Sequence, residues 1–120
     1  MQITLSTNIL KSVLDLASRY VAKNSTLPVL QHVYIKANVD TVLFRATDME
    51  KYIDIEVPAT IDMPGTLSVD AKTLTEYVKS LDDEMVTMVI DMSKNIITLK
   101  TVSDTIKIKG LSGSEYVGIP

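Results

Sequence analysis

The apolar positions of this 120-residue chain follow two periods, and the same order of periods occurs twice. Thr4-Leu5-Ser6 leads into Leu10, Val13, Leu14 and Ala17, spaced three and four apart as on one face of a helix. Thr66-Leu67-Ser68 leads into Leu74, Tyr77, Val78 and Leu81, which repeat the first set at a constant offset of 64. After each helix come runs of period two that end in related phrases, Ile53-Asp-Ile-Glu-Val and Ile106-Lys-Ile-Lys-Gly. The pattern predicts a duplicated strand-helix-three-strand unit.

Punctuation sets the expected boundaries. Residues 2–6 read as a strand and 8–22 as a helix capped by Thr7 or Asn8, followed by a loop from Asn24 to Pro28. Strands are expected at 30–38, with Val33, Ile35 and Ala37 on one face, at 42–47 and at 51–57. Met63-Pro64-Gly65 marks the midpoint turn. The second half then predicts a strand at 66–69, a helix at 71–81 capped by Asp70, and strands at 85–92, 95–101 and 105–109. Two helices against eight strands form an α+β domain over residues 1–120, with both helices on one face of an antiparallel sheet.

Charge is segregated along this plan. Lys11, Asp15 and Arg19 lie at i, i+4 and i+8 on the first helix, with Lys23 just past its end, and Lys72, Glu76 and Lys79 lie at i, i+4 and i+7 on the second. Residues 7–23 carry +2 and residues 71–81 carry +1 within a chain of −3, which leaves −6 on the rest. Two readings fit these residues: ordinary i, i+4 pairing on solvated helices, or a surface for nucleic acid. A net acidic chain does not exclude the second, because phosphate acts within about one Debye length of roughly 8–10 Å and feels the local sign.

Composition narrows the chemistry. There is no Cys, hence no disulfide or thiolate, and no apolar run approaches the length of a membrane span, so a soluble cytoplasmic protein is expected. His32 is the single histidine and has no nucleophile to serve, so it reads as structural or surface. Asp48 with Glu50, and Asp82, Asp83 and Glu84, fall at predicted turns and lack the ligand alternation of a cation loop. The four glycines form no phosphate loop, and Met85, Met88 and Met92 read as core or half-buried strand positions. No catalytic residue, cofactor or metal is expected, which sets aside a small-molecule enzyme.

Four stretches taken in order resemble a known family. Ser25-Thr-Leu-Pro-Val-Leu30, Ala46-Thr-Asp-Met-Glu50, Thr66-Leu-Ser-Val-Asp-Ala-Lys72 and the closing run from Lys109 to Pro120 look like the N-terminal domain of the bacterial DNA polymerase III β subunit, the sliding clamp. The resemblance implies the DNA-clamp fold, three such domains per subunit, and two subunits closing a ring whose inner wall is helical. It implies a non-catalytic processivity factor that holds double-stranded DNA by topology, with few exchangeable phosphate contacts. Lys11, Arg19, Lys23, Asn24, Lys72 and Lys79 are the expected DNA contacts. The loop position where the family often carries a basic residue holds Asn24 here, with Lys23 beside it. Tyr77 and the edge strand with Ile106, Lys107, Ile108 and Lys109 are the expected subunit interface, the lysines doubling as edge protection. Core-facing isoleucines on an ordinary strand are the competing reading of Ile106 and Ile108.

The chain ends where the first domain of that family ends, so an excised domain is expected rather than a short relative. DNA polymerase III and the clamp loader would bind domains outside this sequence. The full-length form would be a homodimer and the isolated domain a monomer. The alternative is a stand-alone interaction module that adds partner strands to its sheet edges and never meets DNA. Lys11, Lys23, Lys72 and Lys79 on one concave face favour the clamp; lysines scattered over opposite sides favour the module.

Overall fold

Ser6 closes the first strand and opens the first helix. In the computed structural model, which describes residues 1–116, β1 (Gln2–Ser6) runs directly into α1 (Thr7–Ala17). Ser6 keeps an extended backbone, and its Oγ accepts from the Ile9 N–H at 3.4 Å. The expected cap at Thr7 or Asn8 is therefore one or two residues late; Thr7 is already helical and buried. The helix also ends before residue 22. Ser18 Oγ donates to the Asp15 carbonyl at 2.8 Å, and the Arg19 and Tyr20 amides turn back to carbonyls three residues behind, which tightens and closes the last turn.

A 3₁₀ turn at Pro28–Gln31 leads into β2 (His32–Ala37), β3 (Thr41–Thr47), β4 (Tyr52–Pro58) and the two-residue β5 (Thr60–Ile61). The second half repeats the order with β6 (Gly65–Asp70), α2 (Ala71–Lys79), β7 (Met85–Asp91), β8 (Ile96–Lys100), β9 (Thr105–Lys109) and β10 (Leu111–Ser112). Asp70 caps α2 as expected, its Oδ2 accepting from Thr73 N and Thr73 Oγ1, both at 2.9 Å. The short β5 and β10 are new relative to the eight expected strands, since two residues carry no periodicity. Residues 117–120, the end of the closing run that contributes to the resemblance, lie outside the described residues.

The antiparallel layer is divided into two five-stranded sheets, and the halves exchange strands to build them. One sheet has the order β5-β1-β7-β8-β9, the other β10-β6-β2-β3-β4. Each half thus lends its first and last strands to the three-strand meander of the other. Ile3 faces Met88 across one seam, and Val33 faces Val69 across the second. The chain passes from one sheet to the other at Gly110, where a Cβ would collide with the Ser68 carbonyl oxygen, so only glycine fits the corner.

A single apolar core joins the two sheets and both helices. Leu10, Val13, Leu14 and Ala17 are buried, as the helical spacing predicts, and so are Leu74, Val78 and Leu81. Tyr77 departs from its expected core position: it is 45% exposed, and Ala71 and Thr75 fill the buried face of α2 instead. Of Met85, Met88 and Met92 only Met88 is buried; Met85 is exposed on β7, and Met92 is exposed in the turn just past it. The helices pack against each other, α1 also touching β3 and β4 and α2 touching β2 and β6, which brings the segment after α1 to one surface with α2.

Candidate nucleic-acid interface

Between the segment that follows α1 and the whole length of α2 lies an open groove of about 480 Å³. Ser18, Val21, Ala22 and Lys23 line it from the end of α1, Gln31 from the 3₁₀ turn, and Asp70, Lys72, Thr75, Glu76 and Lys79 from α2. The early stop of α1 makes this opening, because residues 18–23 leave the helix axis and wrap beside α2. On α2 the i, i+4, i+7 spacing places Lys72, Glu76 and Lys79 along one side of the groove. Among the described residues, none of the three groove lysines forms an ion pair.

The expected DNA contacts therefore divide. Lys23, Lys72 and Lys79 share the groove, whereas Lys11 is half-buried on α1 and does not line it. Asn24 is exposed in the adjoining loop, also outside the lining. Arg19 is exposed but engaged with Asp15 at 3.1 Å, an i, i+4 pair that matches the ordinary reading of the α1 charges. Three of the four lysines proposed as a discriminator thus meet on one concave surface. Gln31 and Thr75 also line the groove, and no sequence pattern marked either of them. Thr75 is buried, and its Oγ1 has no hydrogen-bond partner among the described residues.

The expected interface residues divide as well. β4 and β9 are sheet edges, each with one unpaired side. On β9, however, Ile108 is 7% exposed and belongs to the core, and Ile106 packs partly against it. The backbone edge, the exposed Thr105, Lys107 and Lys109 and the half-buried Ile106 remain available to an outside partner, and Lys109 Nζ already donates to the Lys94 carbonyl at 2.7 Å. Tyr77 is exposed on α2, away from β9 in sequence and element.

The remaining polar candidates hold structure. His32 is buried, and its Nδ1 lies 2.6 Å from Ser68 Oγ. Burial lowers its pKa, with Asp70 and Ser68 opposing the shift. Asp48 Oδ1 accepts from the Glu50 and Lys51 amides at 3.0 and 2.9 Å, and those bonds hold its carboxyl below the usual range. Asp83 accepts from Ser103 Oγ at 2.7 Å, and Thr101 and Ser103 lower its pKa likewise. Among the described residues no group of three or more His, Cys, Asp or Glu is placed to hold a metal, and no helix is long and apolar enough to cross a membrane.

Residues 1–120 match the family model described as DNA polymerase III beta subunit, N-terminal domain. The Beta sliding clamp of Synechocystis is 30% identical over 118 residues, covering 92% of this chain and 30% of that protein. A Caulobacter crescentus structure titled pol III beta superposes with a TM-score of 0.92 at 25% identity, over 100% of this chain and 33% of the other. The DNA polymerase sliding clamp of Bacillus subtilis superposes with a TM-score of 0.94 at 23% identity, again over 100% and 33%. The chain thus spans about a third of the length of the relatives it matches.

Proposed function

We propose, for a chain that belongs to the DNA polymerase III β-subunit family through its N-terminal domain, that it serves as one segment of a DNA-encircling sliding clamp. The observation that carries this is the groove between α2 and the segment that follows α1, where Lys23, Lys72 and Lys79 stand together without ion pairs among the described residues of an otherwise acidic chain. Three cations on a concave surface, two from α2 and one from the segment after α1, suit a passing phosphate backbone. They offer no base-reading geometry, so contact is sequence-independent and exchangeable. Asn24 at the groove's lip and Arg19, when released from Asp15, extend the same surface. Lys11 is a peripheral contributor.

In this reading the chain is the first of three domains, and two three-domain subunits close the ring as a homodimer in the cytoplasm. It is a processivity factor without catalysis of its own; the polymerase and the clamp loader engage domains beyond this sequence. The β9 edge pairs with the neighbouring subunit through backbone hydrogen bonds, flanked by Lys107 and Lys109, with Tyr77 a further contact and Ile106 and Ile108 supporting the strand from within. The module without DNA is the weaker reading, because it leaves the gathered lysines unexplained.

Fluorescence anisotropy with a labelled 30-bp duplex tests the proposal, and at physiological salt a Kd of about 10⁻⁴ M or weaker is expected. Lys72→Glu with Lys79→Glu should abolish the binding that appears at low salt and leave the melting temperature unchanged. Sub-micromolar, sequence-selective binding would contradict the clamp mechanism.

A further inference from the structure

Glu76 lines the groove that the proposed function gives to DNA. Its position on α2 is four residues after Lys72 and three before Lys79, so all three project from adjacent turns of one helix face, and all three line the groove that Lys23 closes from the other side. Two carboxylates reach this surface, and they are not equivalent. Asp70 is committed: its Oδ2 caps α2 through Thr73 N and Thr73 Oγ1. Glu76 is exposed and makes no hydrogen bond or ion pair with any described residue. On α1, by contrast, Asp15 is spent on Arg19. Glu76 is therefore the one uncommitted negative charge among the groove's lining residues, with three uncommitted positive ones around it.

We propose that Glu76 is the residue that sets how weakly this groove holds the phosphate backbone. A phosphate drawn toward Lys72 and Lys79 comes within the same few ångströms of a free carboxylate, whose repulsion offsets part of their attraction without occupying either lysine. A fixed pairing such as Lys–Glu would remove a cation from the surface altogether. A free carboxylate between two free cations instead leaves every contact available and makes each one shallow. For a protein that keeps DNA by encirclement, shallow contacts permit translation along the duplex, and a deep minimum would stall it. The inference rests on the DNA reading of the groove, and its test is arranged so that the two fail separately.

The measurement is anisotropy of a labelled duplex with this chain, titrated at about 20, 50, 100 and 200 mM KCl. Glu76→Gln keeps helix propensity and side-chain size, and the exposed position leaves the melting temperature where it was. Binding at the lowest salt should tighten about 3- to 10-fold and Glu76→Lys should tighten it further, both gains shrinking as salt rises, because each removed repulsion is screened and each added cation steepens the salt slope by about one unit. If Lys72→Glu with Lys79→Glu abolishes binding but Glu76→Gln leaves affinity and salt slope unchanged, the role assigned to Glu76 is wrong and the groove reading stands. If the lysine reversal has no effect either, the groove itself is misassigned and the inference falls with it.

Discussion

His32 Nδ1 lies 2.6 Å from Ser68 Oγ across the β2–β6 seam, a buried side-chain pair that joins the two halves of the chain. The sole histidine is held at the junction where one half's second strand meets the other half's first. Its backbone neighbour across the ladder is Asp70, the residue that caps α2 and borders the lysine groove. The pair therefore couples the sheet seam to the start of the helix that carries Lys72 and Lys79.

Acid should weaken the fold through this histidine. Burial lowers the folded pKa of His32 below the unfolded value of 6.5, so the unfolded chain binds the extra proton first as pH falls. The contribution to stability is full above 6.5, declines as pH drops from there to the lowered folded value, and is constant below it. Melting temperatures between pH 5 and 7.5 should show this decline, and His32→Asn should flatten it. Ser68→Ala, which strands the imidazole nitrogen, should cost about 1–3 kcal/mol near neutrality.

Core and groove substitutions should separate cleanly. Leu14 and Leu81 are each 1% exposed, so their replacement by Ala should cost about 2–5 kcal/mol in urea unfolding. Lys79→Ala, on the exposed face of α2, should stay within about 0.5 kcal/mol.

The strand exchange predicts that neither half folds alone. A fragment of residues 1–62 lacks β6, and one of residues 63–120 lacks β1, so each would leave a meander edge and its apolar face open. Circular dichroism should find both fragments largely unstructured and their equimolar mixture folded. Independent cooperative melting of either fragment would refute this.

Substitutions on β9 should distinguish core from edge. Ile108→Asp places a charge in the core and should unfold the domain, a loss of about 3 kcal/mol or more. Lys107→Glu with Lys109→Glu should leave the melting temperature nearly unchanged and, in a full-length subunit, weaken the closed dimer in analytical ultracentrifugation. A fully stable Ile108→Asp would contradict the burial described for this strand.

Tyr116 should ionise late. It stacks on Tyr34 at 5.0 Å between ring centroids, and burial pushes its hydroxyl up to about 12. Absorbance at 295 nm should show a tyrosine titrating near that pH, a step absent from Tyr116→Phe. Since the folded value is raised above the ordinary 10.0, the associated stability is present below pH 10 and is lost as pH rises through about 12.

The sequence by itself determined the elements and their repetition. Helical spacing found seven of the eight core positions named on α1 and α2 and their surrounds, and period two found Val33, Ile35 and Ala37 and the alternation of β4. These patterns are local, because a side chain's face follows from its place in a turn or pleat. Tyr77 was misjudged because periodicity gives a face but not its width, and small Ala71 and Thr75 took the buried place. The cap at Ser6 was missed because a serine ending a strand and one opening a helix look alike in sequence. Only tertiary structure decided the exchange of β1 and β6, since a strand's hydrophobic alternation is satisfied equally by either meander. Only it could show that α1 breaks off in time for Lys23 to meet Lys72 and Lys79, or that Ile108 points inward. The charges were legible one by one; their convergence in a single groove came from how the two halves pack.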